Sequence, residues 1–158
     1  MRAKLRGQKT TYHHGDLRRA LLDAAMTLID IHGREALTLR AAARRAGVSE
    51  AAPYRHFANL DELLGAIAIE GYEMLIADLE NARGARGLRD AYLTFAGDFP
   101  GRYALMFGRL ADRNAAARRA EEVTHVAELV EEAGGLAVLH GTASLALAGL
   151  AGVVGSVS

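Results

Sequence analysis

The stretch Thr38–Leu64, TLRAAARRAGVSEAAPYRHFANLDELL, decides how the rest of the chain is read. Thr38 suits a helix N-cap, because its hydroxyl can accept from a backbone N–H of the first turn. Leu39 to Ala46 form a short alanine-rich run, and Gly47 stands where a helix end favours a left-handed residue. Val48 then makes a tight turn. Ser49 predicts another N-cap, opening a very short helix to about Arg55 with Pro53 inside it. Two short helices joined by a Gly-containing turn have the form of a helix-turn-helix. Asn59 with Glu62 three residues on is a capping box. The apolar positions Leu63, Leu64, Ile67, Leu75 and Leu79 predict one long helix reaching about Ala82.

Outward from this stretch the helical pattern continues. Asp16 is placed to cap a helix whose apolar stripe is Leu21, Leu22, Ala25, Leu28, Ile29 and His32, ended by Gly33. Residues 1–15 lack periodicity and read as a basic arm carrying Arg2, Lys4, Arg6 and Lys9. On the other side, Gly84 and Gly87 predict an Arg-rich loop. Helices are expected over Leu88–Gly97 and from Pro100 through Phe107, and another over Arg118–Glu132 with Val123, Val126, Ala127 and Val130 along one side. No run alternates as a strand does. The expectation is an all-α protein divided near residue 58, with the basic arm and helix-turn-helix over 1–58 and a helical body over 59–158.

A formal net charge of zero conceals a polarity along the chain. Residues 1–56 hold 11 Lys and Arg against 5 Asp and Glu, net +6, and residues 57–158 hold 8 against 14, net −6. A basic head on an acidic body suits a polyanion partner, since phosphate neutralisation with counterion release drives DNA affinity. Absence of cysteine excludes disulfides and thiol chemistry. Thr10, Thr11, Tyr12, His13 and His14 stand where a signal peptide needs its apolar run, so a cytoplasmic location is expected. Residues 136–157 carry no formal charge. A helix buried in a subunit interface is favoured there over a membrane span, because His140, Thr142, Ser144 and many small residues interrupt the run and no basic cluster follows it.

The chemistry of the deciding stretch suits DNA. A recognition segment opening at Ser49 presents Glu50, Ala51 and Arg55 to base edges, with alanine methyls meeting thymine methyls and Glu50 accepting from cytosine. Thr38, Arg44, Arg45, Tyr54 and His56 are placed to hold the phosphate backbone. The plainer alternative is a solvated charged face whose arginines stabilise a helix C-terminus. Elsewhere the residues point away from catalysis: no nucleophile motif, Walker loop or zincin pattern occurs, and HGTAS is only an echo of a serine motif. His13, His14, His125 and His140 have no carboxylate partners at metal spacing, so neither metal nor cofactor is expected.

The segment Asp16–Leu64 resembles the TetR-type transcription regulators, through AGVSEAAPYRHFANLDELL and in particular Gly47, Val48, Ser49, Tyr54, Phe57 and the acids Asp61 and Glu62 before Leu63 and Leu64. The resemblance implies that Thr38, Ser49, Ala51, Tyr54 and His56 face DNA and that Phe57 anchors the core. This sequence departs from the pattern at Leu60, where such proteins commonly carry a phosphate-reaching lysine, and at Pro53, which sits inside the recognition helix. YLTFAGDFPGRYALMF and VLHGTASLALAGL resemble the C-terminal ligand-binding and dimerisation domain of the WHG type, with Leu139 in place of its tryptophan. This second resemblance suggests a small-molecule pocket. Tyr92, Phe95, Phe99, Tyr103, Met106 and Phe107 either line it or form plain core. Val123, Val126, Val130, Gly141, Leu145, Ala148 and Gly152 are the expected dimer interface. The resulting expectation is a ligand-responsive repressor, not an enzyme, binding a palindromic operator as a homodimer with an apolar small-molecule effector. The rival readings are a DNA-binding scaffold regulated by a protein partner, and a membrane-tethered regulator.

Overall fold

The computed structural model describes residues 17–108 and 113–148, the stretch 113–117 by its backbone alone. Its α-helices are α1 (Leu17–His32), α2 (Leu39–Arg45), α3 (Leu60–Asn81), α4 (Gly84–Asp98), α5 (Pro100–Phe107), α6 (Arg113–Leu129) and α7 (Leu136–Leu147). Three 3₁₀ segments, Arg34–Ala36, Ala52–Arg55 and Glu131–Ala133, complete the order, and no strand occurs among the described residues. The arm over 1–15, the cap at Asp16 and Gly152 lie outside the described residues.

Two apolar clusters organise these helices. The head core joins Leu21, Leu22, Ala25 and Ile29 of α1 to Leu39 and Ala42 of α2, Phe57, and Leu63, Leu64 and Ile67 of α3. The body core joins Tyr72, Leu75 and Leu79 of α3 to Tyr92 and Phe95 of α4, Tyr103 and Met106 of α5, Val126 and Val130, and Leu139 and Ala143 of α7. α3 is therefore a spine of 22 residues, about 33 Å at 1.5 Å per residue, whose first half belongs to the head and second half to the body. Its start follows the capping-box logic with one change. Asn59 Oδ1 accepts from Glu62 N at 2.9 Å, but the Glu62 carboxylate accepts from Ala58 N at 2.6 Å, one residue before the cap.

Two local expectations are corrected. Gly84 and Gly87 lie within α4 rather than in a loop: Gly84, at φ +64°, is its first residue, and Arg83 N-caps it without a side-chain hydrogen bond. Ser49 does not cap a helix reaching Arg55; a turn leads instead into the 3₁₀ segment Ala52–Arg55. Proline is the reason. An α-helix capped by Ser49 would close its first bond from the N–H of residue 53, which Pro53 lacks. The chain makes the tighter bond from Ala52 N to Ser49 O at 3.0 Å, and the Pro53 carbonyl then accepts from His56 N and Phe57 N, both at 2.9 Å. At the start of this segment Pro53 leaves no donor missing.

Head and body meet where α5 crosses α1. Gly101 is tight there: a Cβ added to it would lie 2.4 Å from the Ile29 carbonyl oxygen. Beside it, Arg102 Nη2 donates to Asp30 Oδ2 at 2.6 Å, Nη1 reaches Met74 Sδ at 2.8 Å, and the guanidinium lies over the Phe99 ring. Asp30 Oδ1 and Arg102 Nε are buried with no hydrogen-bond partner among the described residues. The second half of the body is tied by hydroxyls, with Tyr92 Oη 3.1 Å from Tyr103 Oη and the latter 2.6 Å from His140 Nδ1. Burial pushes the Tyr72, Tyr92 and Tyr103 phenols above their ordinary pKa.

Candidate nucleic-acid interface

The head presents its polar chemistry on the surface around α2 and the segment after it. At the start of α2, Thr38 Oγ1 accepts from Ala41 N at 3.0 Å. That bond uses the hydroxyl as an acceptor and leaves its O–H able to donate to a phosphate oxygen. At the other end, Gly47 at φ +72° turns the chain, Val48 N donates to Ala43 O at 3.0 Å and Gly47 N to Arg44 O at 3.2 Å. This pair of bonds is a complete Schellman motif, so the turn between the two elements is fixed by backbone geometry.

Beyond the turn, Ser49, Glu50, Ala51, Tyr54 and Arg55 are exposed, as are Thr38, Arg44 and Arg45, and His56 is half-buried. Tyr54 keeps 54% of its surface open. Phe57 beneath them is buried at 1% in the head core, with the Arg18 guanidinium 5.2 Å from its ring centroid. All nine sequence-nominated DNA residues thus belong to one helix-turn-helix, and its apolar residues face inward.

Two features escaped the sequence reading. Arg40 sits one turn before Arg44 on α2, and the two converge on Glu50, at 3.6 and 3.0 Å. The i, i+4 spacing of the arginines was a legible signal, but their convergence on Glu50 depends on the turn. In this arrangement Glu50 is engaged by arginines rather than free to accept from a base. Secondly, Thr38, Leu39, Arg40, Tyr54, Ala58, Asn59 and Leu60 line an open cleft of about 400 Å³. Leu60, the departure from the TetR pattern, is a half-buried apolar residue there, and Arg40 brings a cation to the same cleft.

The expected body sites are redistributed. Tyr92, Phe95, Tyr103 and Met106 are buried in the body core, and Phe99 and Phe107 pack half-buried against it. An open cleft of about 400 Å³ is lined by Tyr72, Met106, Phe107, Arg119, Ala120 and Val123, so only Met106 and Phe107 of the six expected pocket residues reach it. Val126 and Val130 are fully buried within the single chain and are corrected from interface to core. The α6 stripe faces α3, which leaves these valines no surface for a second subunit. Gly141, Leu145 and Ala148 are exposed, together with Val138 at 57%. No helix among the described residues is long and apolar enough to cross a membrane, and no group of three acidic or histidine side chains among them is placed to hold a metal.

Residues 21–67 match the family described as bacterial regulatory proteins, tetR family. The chain is 30% identical over 94 residues to an uncharacterized HTH-type transcriptional regulator of Mycobacterium tuberculosis (strain ATCC 25618 / H37Rv), covering 55% of this chain and 43% of that relative. The match therefore spans less than half of the curated relative's length. A solved protein of unknown function from Rhodococcus sp. RHA1 is 33% identical with a TM-score of 0.69, covering 90% of this chain and 88% of the other. A TetR family transcription regulator from Marinobacter aquaeolei VT8 shares the fold, with a TM-score of 0.56 at 16% identity over 84% of each chain. The head described above thus matches the N-terminal domain of the tetR family of bacterial regulatory proteins.

Proposed function

We propose that the chain acts as a dimeric, non-enzymatic repressor of the TetR type, whose grip on a palindromic operator is released by a small molecule in the body cleft. The observation that carries this reading is the placement of α5. Its Leu105 belongs to the head core, its Arg102 is bonded to Asp30 of α1, and its Met106 and Phe107 line the cleft. A ligand that displaces the end of α5 therefore acts on an element the head is built around. It shifts DNA binding only by preferring the conformation whose heads do not fit the operator, because equal affinity for both states changes nothing.

On DNA, Thr38, Arg40, Arg45, Tyr54 and His56 hold phosphates, and Ser49, Ala51 and Arg55 meet base edges, with Glu50 setting the direction of Arg44. The functional division falls near residue 58, with α3 shared. Dimerisation uses the uncharged outer face of α7, where Val138, Gly141, Leu145 and Ala148 follow at helical spacing opposite the buried Leu139 and Ala143. The test is titration of labelled duplexes. Arg45→Ala and Tyr54→Phe should weaken binding to every sequence by a similar factor, since backbone contacts position without specifying. A variant that changed base preference while keeping nonspecific affinity would overturn the docking assignment. In sedimentation, Leu145→Arg should yield monomer, and an unchanged dimer would move the interface elsewhere.

A further inference from the structure

The inward face of α6 reads Arg119, Val123 and Val126 and is continued by Val130 just past its end, at intervals of four, three and four residues. Val126 and Val130 are fully buried in the body core and Val123 packs against it. Arg119 continues that apolar stripe by one turn and places a permanent cation in the wall of the body cleft, among Tyr72, Met106, Phe107, Ala120 and Val123. Among the described residues it has no carboxylate partner. Its neighbour Arg118, on the outer side, pairs with Glu73 at 3.3 Å. Arg119 Nη1 donates to the Gly108 carbonyl just past the end of α5, which engages one of the five N–H donors of a guanidinium. Stabilising the end of α5 accounts for that one bond. It does not account for the remaining donors beside an apolar cleft.

We infer that the body cleft takes a small monocarboxylic acid with an aromatic or short aliphatic body, its carboxylate on Arg119 and its body against Tyr72, Met106 and Phe107. This rests on the effector reading above and names the chemistry of that effector. A volume of about 400 Å³ is at the small end of ligand sites. Tyr72 and Phe107 meet edge to face, with ring centroids 5.6 Å apart, and offer an aromatic wall. The Tyr72 hydroxyl donates to the Met106 carbonyl at 2.9 Å, so the wall adds no free donor from that residue. One guanidinium matches one carboxylate in charge and in planar fork geometry, whereas a phosphate dianion would retain charge against this single cation.

The experiment uses the full chain and calorimetric titration with phenylacetate and octanoate, each beside its neutral amide. The acids should bind the wild type at least about tenfold more tightly than the amides, one charge-assisted contact of roughly 1.4 kcal/mol. Arg119→Gln should bring the acids down to the affinity of the amides and leave the amides unchanged, which also shows that the cleft is still folded. Arg119→Lys should keep part of the preference. Equal binding of acid and amide to the wild type, or a preference that survives in Arg119→Gln, overturns the assignment of a carboxylate while leaving an effector cleft in place. If none of the four compounds binds, the effector reading falls and the inference with it.

Discussion

Glu50 shows how a single residue changes meaning between sequence and structure. From sequence it was a base-reading acceptor at the start of a recognition helix; in the fold it sits between Arg40 and Arg44, drawing two cations together on the exposed side of α2. These pairs are half-exposed and are worth little as stability. Their effect lies in masking charge and aiming side chains. Glu50→Gln should therefore raise nonspecific DNA affinity and steepen the dependence of log K on log salt by about one to two, since each additional neutralised phosphate contributes about 0.9. Salt titration on a random duplex reads this directly, and an unchanged slope would mean that the arginines do not reach phosphate. The identities of the exposed residues were legible from their position around Gly47. The pairing was not, because it arises from the path of the turn, and Pro53 sets that path.

At the scale of elements, most helices could be read because their caps and apolar spacings are local. Thr38 and Asn59 cap α2 and α3 through the side-chain oxygens expected of them. The elements misread were those decided by a competing local rule, a missing N–H at residue 53, or by tertiary packing, as for the start of α4. The tight crossing of α5 over α1 had no sequence signal beyond Gly101 itself. Gly101→Ala forces a methyl against the Ile29 carbonyl and should destabilise by roughly 1–3 kcal/mol. Gly97→Ala, on α4 with nothing within 4 Å, should instead stabilise by about 0.5–1 kcal/mol. Thermal melts of the two variants should move in opposite directions.

The whole molecule is two cores on one spine, and alkaline pH provides a test of how they hold together. Burial raises the Tyr72, Tyr92 and Tyr103 phenols above the unfolded value of about 10, so their contribution is fully present below that pH. As pH rises past 10 the unfolded chain ionises first, and stability falls up to the raised folded values. Phenolate absorbance from these tyrosines should consequently appear together with loss of helix; ionisation while the helices persist would contradict the packing of the body. The charge division along the chain made a basic head and acidic body legible at this scale. The sharing of α3 between two cores was hidden, because one uninterrupted apolar pattern does not reveal that its halves face different partners. The same limit applies to α6, whose valine stripe suits an interface or a core equally until α3 is seen covering it.

The claim on which the rest depends is that the surface around Gly47 reads DNA. Selection of bound duplexes from a random pool by the purified chain tests it most directly. The expected result is enrichment of an inverted repeat with half-sites about one helical turn apart or a multiple of it, and loss of that enrichment in a variant carrying Ser49→Ala, Ala51→Glu and Arg55→Ala together, the residues assigned to base edges. A pool that stays random with the wild type, or the same repeat enriched equally by the triple variant, would contradict it.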